Sequence, residues 1–286
     1  MQKFMILPDF ILQSRQNQTW SESGIDSLKE CCNKEHFKSY PHQIEYKYNS
    51  RGFRDSEWPS TLEELQDSVW CIGDSFTVGI GSPLTHTWVN LLQNKLNQRC
   101  INVSMDGASN QWIARKISRV LDKIKPKIII IQWSFFTRYE LIDQDLDDEK
   151  RRLNFHDLEL TSLQLLCNFN KLVQTIVQTK QNTKIIHSFI PGWAVGTTVQ
   201  DEWNKLRGPD WPKYPASQLE MFVQKELQTF GYAGFFELYS ELLSNRLYVP
   251  EFIKLDLARD GFHYDKVTAT TFVDQLENLI ADLHLT

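Results

Sequence analysis

The chain has 286 residues, 41% of them hydrophobic and 23% charged, and a formal net charge of −5. That length is ample for a sizeable core, and the composition is that of a globular domain rather than a disordered or fibrous chain. The acidic balance excludes nucleic acid as the default partner, because no basic excess is there to neutralise phosphates.

Targeting and redox signals are few. Met1–Leu12 is apolar but interrupted by Pro8 and Asp9, carries one Lys and offers no small-residue cleavage site, so it does not read as a signal peptide. No run approaches the about 20 apolar residues that a membrane-spanning helix needs. The five cysteines, Cys31, Cys32, Cys71, Cys100 and Cys167, are odd in number and form no Cys-x-x-Cys or Cys/His cluster. They read as reduced thiols in a cytoplasmic setting, with no structural zinc site, no metal and no cofactor expected.

Residues 1 to about 66 read as an N-terminal extension with little periodicity, containing the turn-like stretch Tyr48-Asn49-Ser50-Arg51-Gly52-Phe53-Arg54-Asp55. From Ser68 onward, strand and helix signals alternate. Val69–Ile72 is a short apolar run, and Trp88, Leu91, Leu92 and Leu96 share a helical face. Cys100–Val103 is a second strand. Ile113, Ile117, Val120, Leu121 and Ile124 recur at helical spacing, with Ser109-Asn110 available as a cap. Ile128–Ile131 is continuous isoleucine, as a strand covered on both faces would be. The mixed-sign stretch Asp143–Arg152 reads as a solvated loop or helix end.

A long amphipathic helix follows with Leu165, Leu166, Phe169, Leu172, Val173 and Ile176, then a fourth strand, Lys184–Ile190, stopped by Pro191-Gly192. Between about 192 and 250 lies an insertion. Its first part, Trp193 to Pro215, is rich in aromatics and proline and is either a wall of the site or a packing excursion. Ser217-Gln218-Leu219-Glu220 has the form of a capping box, opening a helix that ends near Gly231. The last helix gathers Ala269, Phe272, Val273, Leu276, Leu279 and Ile280 on one face. Strands alternating with helices imply an α/β fold with a parallel sheet and right-handed crossovers, and sites in such sheets form at the carboxyl ends of strands.

Two motifs carry chemistry. Gly73-Asp74-Ser75-Phe76-Thr77 follows the first strand directly, and Asp260-Gly261-Phe262-His263 precedes the last helix. A serine hydroxyl is a poor nucleophile until a base takes its proton. His263 supplies a base, and Asp260, three residues away, supplies a carboxylate that can fix the imidazole tautomer. Read singly, Asp74-Ser75 is as good a helix cap as a catalytic element. Together the two motifs supply the parts of a Ser-His-Asp triad.

These residues resemble the GDSL/SGNH hydrolases. Gly73-Asp74-Ser75-Phe76 looks like the family's first block and Asp260-Gly261-Phe262-His263 like its last, and the likeness covers roughly residues 66–286. The resemblance implies a flavodoxin-like three-layer α/β/α sandwich with a mostly parallel sheet, over an SGNH-hydrolase-like domain of residues 67–286. It also implies ester hydrolysis through an acyl-serine, with Ser75, Asp260 and His263 catalytic. The family's oxyanion hole combines the nucleophile's N–H with a second-block Gly and a third-block Asn. Gly107, in Met105-Asp106-Gly107-Ala108-Ser109-Asn110, matches the second block. The third block departs: Gln132-Trp133-Ser134-Phe135-Phe136-Thr137-Arg138-Tyr139-Glu140 contains no Asn. Gln132, Ser134 or Asn110 are the candidate replacements, Asn110 having helix capping as its other reading. Trp133, Arg138 and Trp193 are candidate substrate contacts; Arg138 and Glu140 either meet substrate or pair with each other.

The leading expectation is an esterase that removes a small, acetyl-like acyl group from a carbohydrate or similar polar substrate. The carbohydrate class rests on nine Trp and the aromatic loops. An O-acyltransferase with the same triad and a non-catalytic binding module of the same fold are the alternatives. The expected partner is a small-molecule or glycan ester, with no nucleic acid and no membrane span; the sequence does not fix the oligomeric state.

Overall fold

The apolar runs become strands because each is long enough to cross a sheet and apolar enough to be covered on both faces. A computed structural model describes residues 10–135, 138, 140, 162–179, 182–191, 249 and 254–284. In chain order the elements are β1 (Thr19–Trp20), α1 (Leu28–Cys31), α2 (Glu35–Ser39), β2 (Tyr46–Lys47), α3 (Leu62–Asp67), β3 (Val69–Gly73), α4 (Ser75–Val78), α5 (Trp88–Leu96), β4 (Cys100–Ser104), α6 (Asn110–Lys123), β5 (Ile128–Trp133), α7 (Ser162–Val177), β6 (Lys184–Phe189) and α8 (Lys266–His284). The insertion expected at about 192–250, with its capping box and Trp193, lies outside the described residues apart from Val249.

The main sheet has the order β4-β3-β5-β6 and every pairing in it is parallel. In chain order of these four strands this is 2-1-3-4, the flavodoxin-like arrangement. The chain leaves β3 toward one side, pairs as β4, then crosses back to β5. That reversal places the carboxyl end of β3, where Gly73-Asp74-Ser75 begins, at the switch point of the sheet.

Strand residues alternate between the two faces. Trp70, Ile72, Ile101, Val103, Ile129, Ile131 and Trp133 face α6 and α7, meeting Trp112, Ile113, Ile117, Val120, Phe169, Val173 and Ile176. Val69, Cys71, Cys100, Ile128, Ile130 and Ile186 face α5 and α8, meeting Trp88, Val89, Leu92, Ala269, Phe272, Val273, Leu276 and Ile280. The result is three layers, α/β/α. The helix caps come from local side chains: Ser109 Oγ accepts from the Trp112 N–H at 3.0 Å at the start of α6, and Thr87 Oγ1 accepts from Asn90 N–H at α5.

Residues 10–66 show little periodicity because their burial is irregular, but they are not a loose tail. Phe10, Leu12, Phe53 and Trp58 complete the α6/α7 side of the core against Trp70. Ile44, Tyr46 and Tyr48 pack on Val78 and Ile80, at the end of α4 and just past it. Trp58 stacks on Phe53 with ring centroids 5.2 Å apart and meets Trp70 edge-on.

Candidate active site

Gly73 ends β3, and no larger residue fits there. A Cβ at that position would lie 2.1 Å from Thr77 Oγ1 and 3.0 Å from the Gln132 carbonyl oxygen. The close turn lets Asp74 cap α4 through its Oδ1, which accepts the Phe76 N–H at 3.0 Å. Ser75 is therefore the first residue of α4, and its own N–H has no acceptor within the helix.

The second half of the site is a loop between residue 254 and α8. Ala258 N–H donates to the His263 carbonyl and Gly261 N–H to the Ala258 carbonyl. Asp260 Oδ1 accepts the N–H groups of Phe262 and His263, both at 3.0 Å. The loop seats on Gly81. Arg259 N–H donates to the Gly81 carbonyl, and a Cβ on Gly81, whose φ is +79, would approach Ala258 Cβ to 2.8 Å and Asp260 Oδ1 to 3.2 Å. Lys34 Nζ also donates to the Asp260 carbonyl at 2.7 Å, so the segment preceding α2 holds the loop from outside.

These two halves bring Ser75, His263 and Asp260 together. Ser75 Oγ lies 2.8 Å from His263 Nε2, and His263 Nδ1 lies 2.5 Å from Asp260 Oδ2. All three are buried. Burial pushes the Asp260 carboxyl upward, but the hydrogen bond and charge of His263 and the two backbone N–H groups outweigh it, so its pKa lies below the ordinary carboxylate value. An ionised Asp260 accepts from Nδ1–H, which leaves Nε2 as the acceptor for the serine hydroxyl. Phe76 packs against the imidazole at 4.4 Å, and Phe262 and Phe135 extend that aromatic surface. Phe262 is 45% exposed.

The remaining candidates behave differently. Gly107 has φ 69 in the turn after β4, and β4 runs parallel beside β3, with Gly73 opposite Ser104. That turn therefore lies at the same end of the sheet as Ser75. Asn110 does not aim a free amide at Ser75. Its Nδ2 donates to the carbonyl of Phe135 at 2.9 Å, and its Oδ1 accepts the Ser134 N–H at 3.0 Å. Ser134 is engaged as well: its hydroxyl donates to Asp74 Oδ2 at 2.6 Å. Gln132 bridges Thr77 Oγ1 and the Tyr264 hydroxyl in the buried layer below.

Of the expected substrate contacts, Trp133 is corrected, and Arg138 is engaged within the fold. Trp133 is fully buried among the residues facing α6 and α7, donating its indole N–H to His187 Nδ1 at 3.2 Å and meeting Phe169 edge-on. Its place one residue after Gln132 puts it on the opposite face of the sheet from Gln132. Arg138 pairs with Asp74 Oδ2 at 2.9 Å, not with Glu140. Glu140 is held by Arg115 at 2.5 Å and by the Ser109 hydroxyl at 2.7 Å.

Asp74 is the residue that sequence reasoning undervalued. One of its oxygens caps α4, and the other gathers Ser134 and Arg138. Ser134 and Arg138, after β5, thus act on the turn before Ser75 through Asp74. The signal was present as an Asp in a capping position, but its partners lie 60 or more residues away in sequence.

No protein-family model and no curated protein matches the sequence. Among solved structures, the chain is similar to TesA at 15% identity and a TM-score of 0.43, over 76% of this chain and 99% of that one. It is similar to the psychrotrophic esterase EstA from Pseudoalteromonas sp. at 14% identity and TM-score 0.40, over 77% and 100%. A member of the lipolytic protein G-D-S-L family from Veillonella parvula matches at 14% and TM-score 0.40, over 74% and 96%. Among the described residues, no helix is long and apolar enough to cross a membrane.

Proposed function

We propose that the chain is a serine ester hydrolase that removes a small, acetyl-like acyl group from a carbohydrate or similar polar substrate. The observation that carries this reading is the continuous chain of short contacts from Ser75 Oγ through His263 to Asp260, at 2.8 and 2.5 Å.

In the first step Ser75 Oγ attacks the ester carbonyl carbon while its proton passes to His263 Nε2. Asp260 holds the Nδ1–H and stabilises the imidazolium. The negative charge on the former carbonyl oxygen meets the backbone N–H groups of Ser75 and Gly107, the two donors this reading assigns to the oxyanion hole. The tetrahedral intermediate collapses, breaking the bond to the alcohol oxygen, and His263 returns its proton to that leaving group. Water then attacks the acyl-serine with His263 again as base, releasing the acid and restoring Ser75.

The aromatic surface of Phe76, Phe135 and Phe262 beside His263 suits a short acyl chain, and the partial exposure of Phe262 offers it to a ligand. The carbohydrate class rests on the aromatic-rich stretch from Trp193 to Pro215.

A serine-directed fluorophosphonate tests the reading. The wild-type chain should be labelled at one site, and the folded Ser75→Ala variant should not be. Lack of labelling in a folded wild-type chain would leave a binding module of the same fold as the better account. Product analysis with and without a sugar acceptor then distinguishes hydrolysis from acyl transfer, since both share the acyl-serine.

A further inference from the structure

Three residues remote in sequence converge beside the triad loop. His42 follows α2, His86 precedes α5, and Asp265 stands two residues after His263 and directly before α8. One ligand atom from each lies within 4.8 Å of the others. His86 Nδ1 is 2.9 Å from Asp265 Oδ1, His42 Nε2 is 4.0 Å from Asp265 Oδ2, and the two imidazole rings meet edge-on at 4.7 Å. Spacing along the chain gave no sign of this group, because its members lie far apart in sequence and meet only in the fold.

The geometry points to a binding site for one divalent transition-metal ion of the zinc class, held by His42, His86 and Asp265. Metal–ligand bonds of about 2.0–2.2 Å in a tetrahedron put neighbouring ligand atoms roughly 3.3–3.6 Å apart; one ligand atom from each residue already lies within 4.8 Å of the others, so side-chain rotation closes the remaining gap. Two imidazoles and one carboxylate suit zinc, and three protein ligands leave a position for water. The carboxylate is already oriented from outside: the Tyr40 hydroxyl donates to Asp265 Oδ2 at 2.6 Å. Such outer partners are what metal-binding carboxylates normally have. Asp265 is nearly buried while His42 is 40% exposed, so the site has a fixed anchor and an open side for entry. A bound ion would tie the segment after α2, the turn before α5 and the start of α8 together. That would fix the backbone just beyond His263 without taking part in chemistry at Ser75.

Titration of the metal-stripped full-length chain with zinc, followed by calorimetry, tests the site. The expected result is one saturable equivalent, unchanged in Cys32→Ser, which removes an exposed thiol as a competing ligand. His42→Ala and His86→Ala should each weaken binding by on the order of a hundredfold or more. Tyr40→Phe should weaken it by about 10–100-fold, as loss of an outer-shell partner does. Zinc should also raise the melting temperature of the wild type and not that of His42→Ala, since a ligand stabilises only a fold that binds it. His42 lies at the surface, so this variant keeps its fold, which circular dichroism verifies. Absence of saturable binding to the wild type, or equal binding by His42→Ala, would overturn the proposal. Because Ser75 labelling by the fluorophosphonate is read separately, the two ideas fail independently.

Discussion

Arg54 Nη1 donates to the carbonyl oxygen of Gly79 at 2.6 Å, joining the N-terminal segment to the far end of α4. The same guanidinium reaches the carbonyls of Val78, Ser82 and Glu45 and lies over the Tyr46 ring, fully buried. One planar fork thus serves carbonyls at and just beyond the end of α4 together with that of Glu45, directly before β2.

Arg54→Lys should therefore destabilise the fold although the charge is kept. An ammonium cannot reproduce the fork, and each buried acceptor left unmet costs about 1–3 kcal/mol. A loss of about 2 kcal/mol or more is expected by urea denaturation, with kcat falling because α4 carries Ser75. An unchanged urea midpoint would show that the carbonyls find other partners.

The triad prediction follows from the contacts themselves. Ser75→Ala or His263→Ala should lower activity on a small aryl acetate by on the order of 10³-fold or more, because each removes a group that acts as a unit with the other. Asp260→Asn should also be damaging, through the wrong imidazole tautomer. Near wild-type rates from folded Ser75→Ala would remove it as nucleophile.

The sheet was legible because its strands are short, apolar and bounded by turn residues; Val69–Ile72, Cys100–Val103, Ile128–Ile131 and Lys184–Ile190 all became strands, within three residues of their observed ends. Ser75 and Asp260/His263 were legible because each is a local motif, and the fold brings the two within hydrogen-bond distance. Trp133 was misread because loop chemistry was assigned to the last residue of a strand, where alternation decides its face. Arg54, the distant partners of Asp74 and the His42/His86/Asp265 cluster were not legible. Each depends on partners brought together by long-range folding, which no local pattern encodes.

His187 gives a stability prediction with a defined sign. It is fully buried, and that burial pulls its imidazole from 6.5 down to about 3. The folded state then binds the proton more weakly than the unfolded chain does. Between about pH 6.5 and 3 unfolding takes up a proton, so stability rises with pH across that window. The contribution is complete above about pH 6.5 and is lost as pH falls toward 3. His187→Gln, which keeps an acceptor for the Trp133 indole N–H, should flatten the fall in urea midpoint between pH 7 and 5. Parallel slopes for the two proteins would exclude His187 as the source.

Ser134 separates two accounts of the oxyanion hole. If its hydroxyl served the developing charge directly, Ser134→Ala would lower kcat by about 10²–10³ with little change in KM. The structure instead commits that hydroxyl to Asp74, at 2.6 Å, beside the Arg138 guanidinium. The expected result is therefore a loss of stability of about 1–3 kcal/mol, as for other removed partners of charged buried groups, with kcat reduced less than about tenfold. Asn110→Ala should act in the same structural manner, since its amide ties the turn after β5 to α6. Gly107→Ala should behave in the opposite way. At φ 69 a side chain strains the turn, and a displaced backbone N–H lowers kcat at nearly constant KM. Steady-state kinetics and melting curves on the three variants decide the matter. A kcat loss of 10² or more in Ser134→Ala with an unchanged melting temperature would make that hydroxyl the third donor.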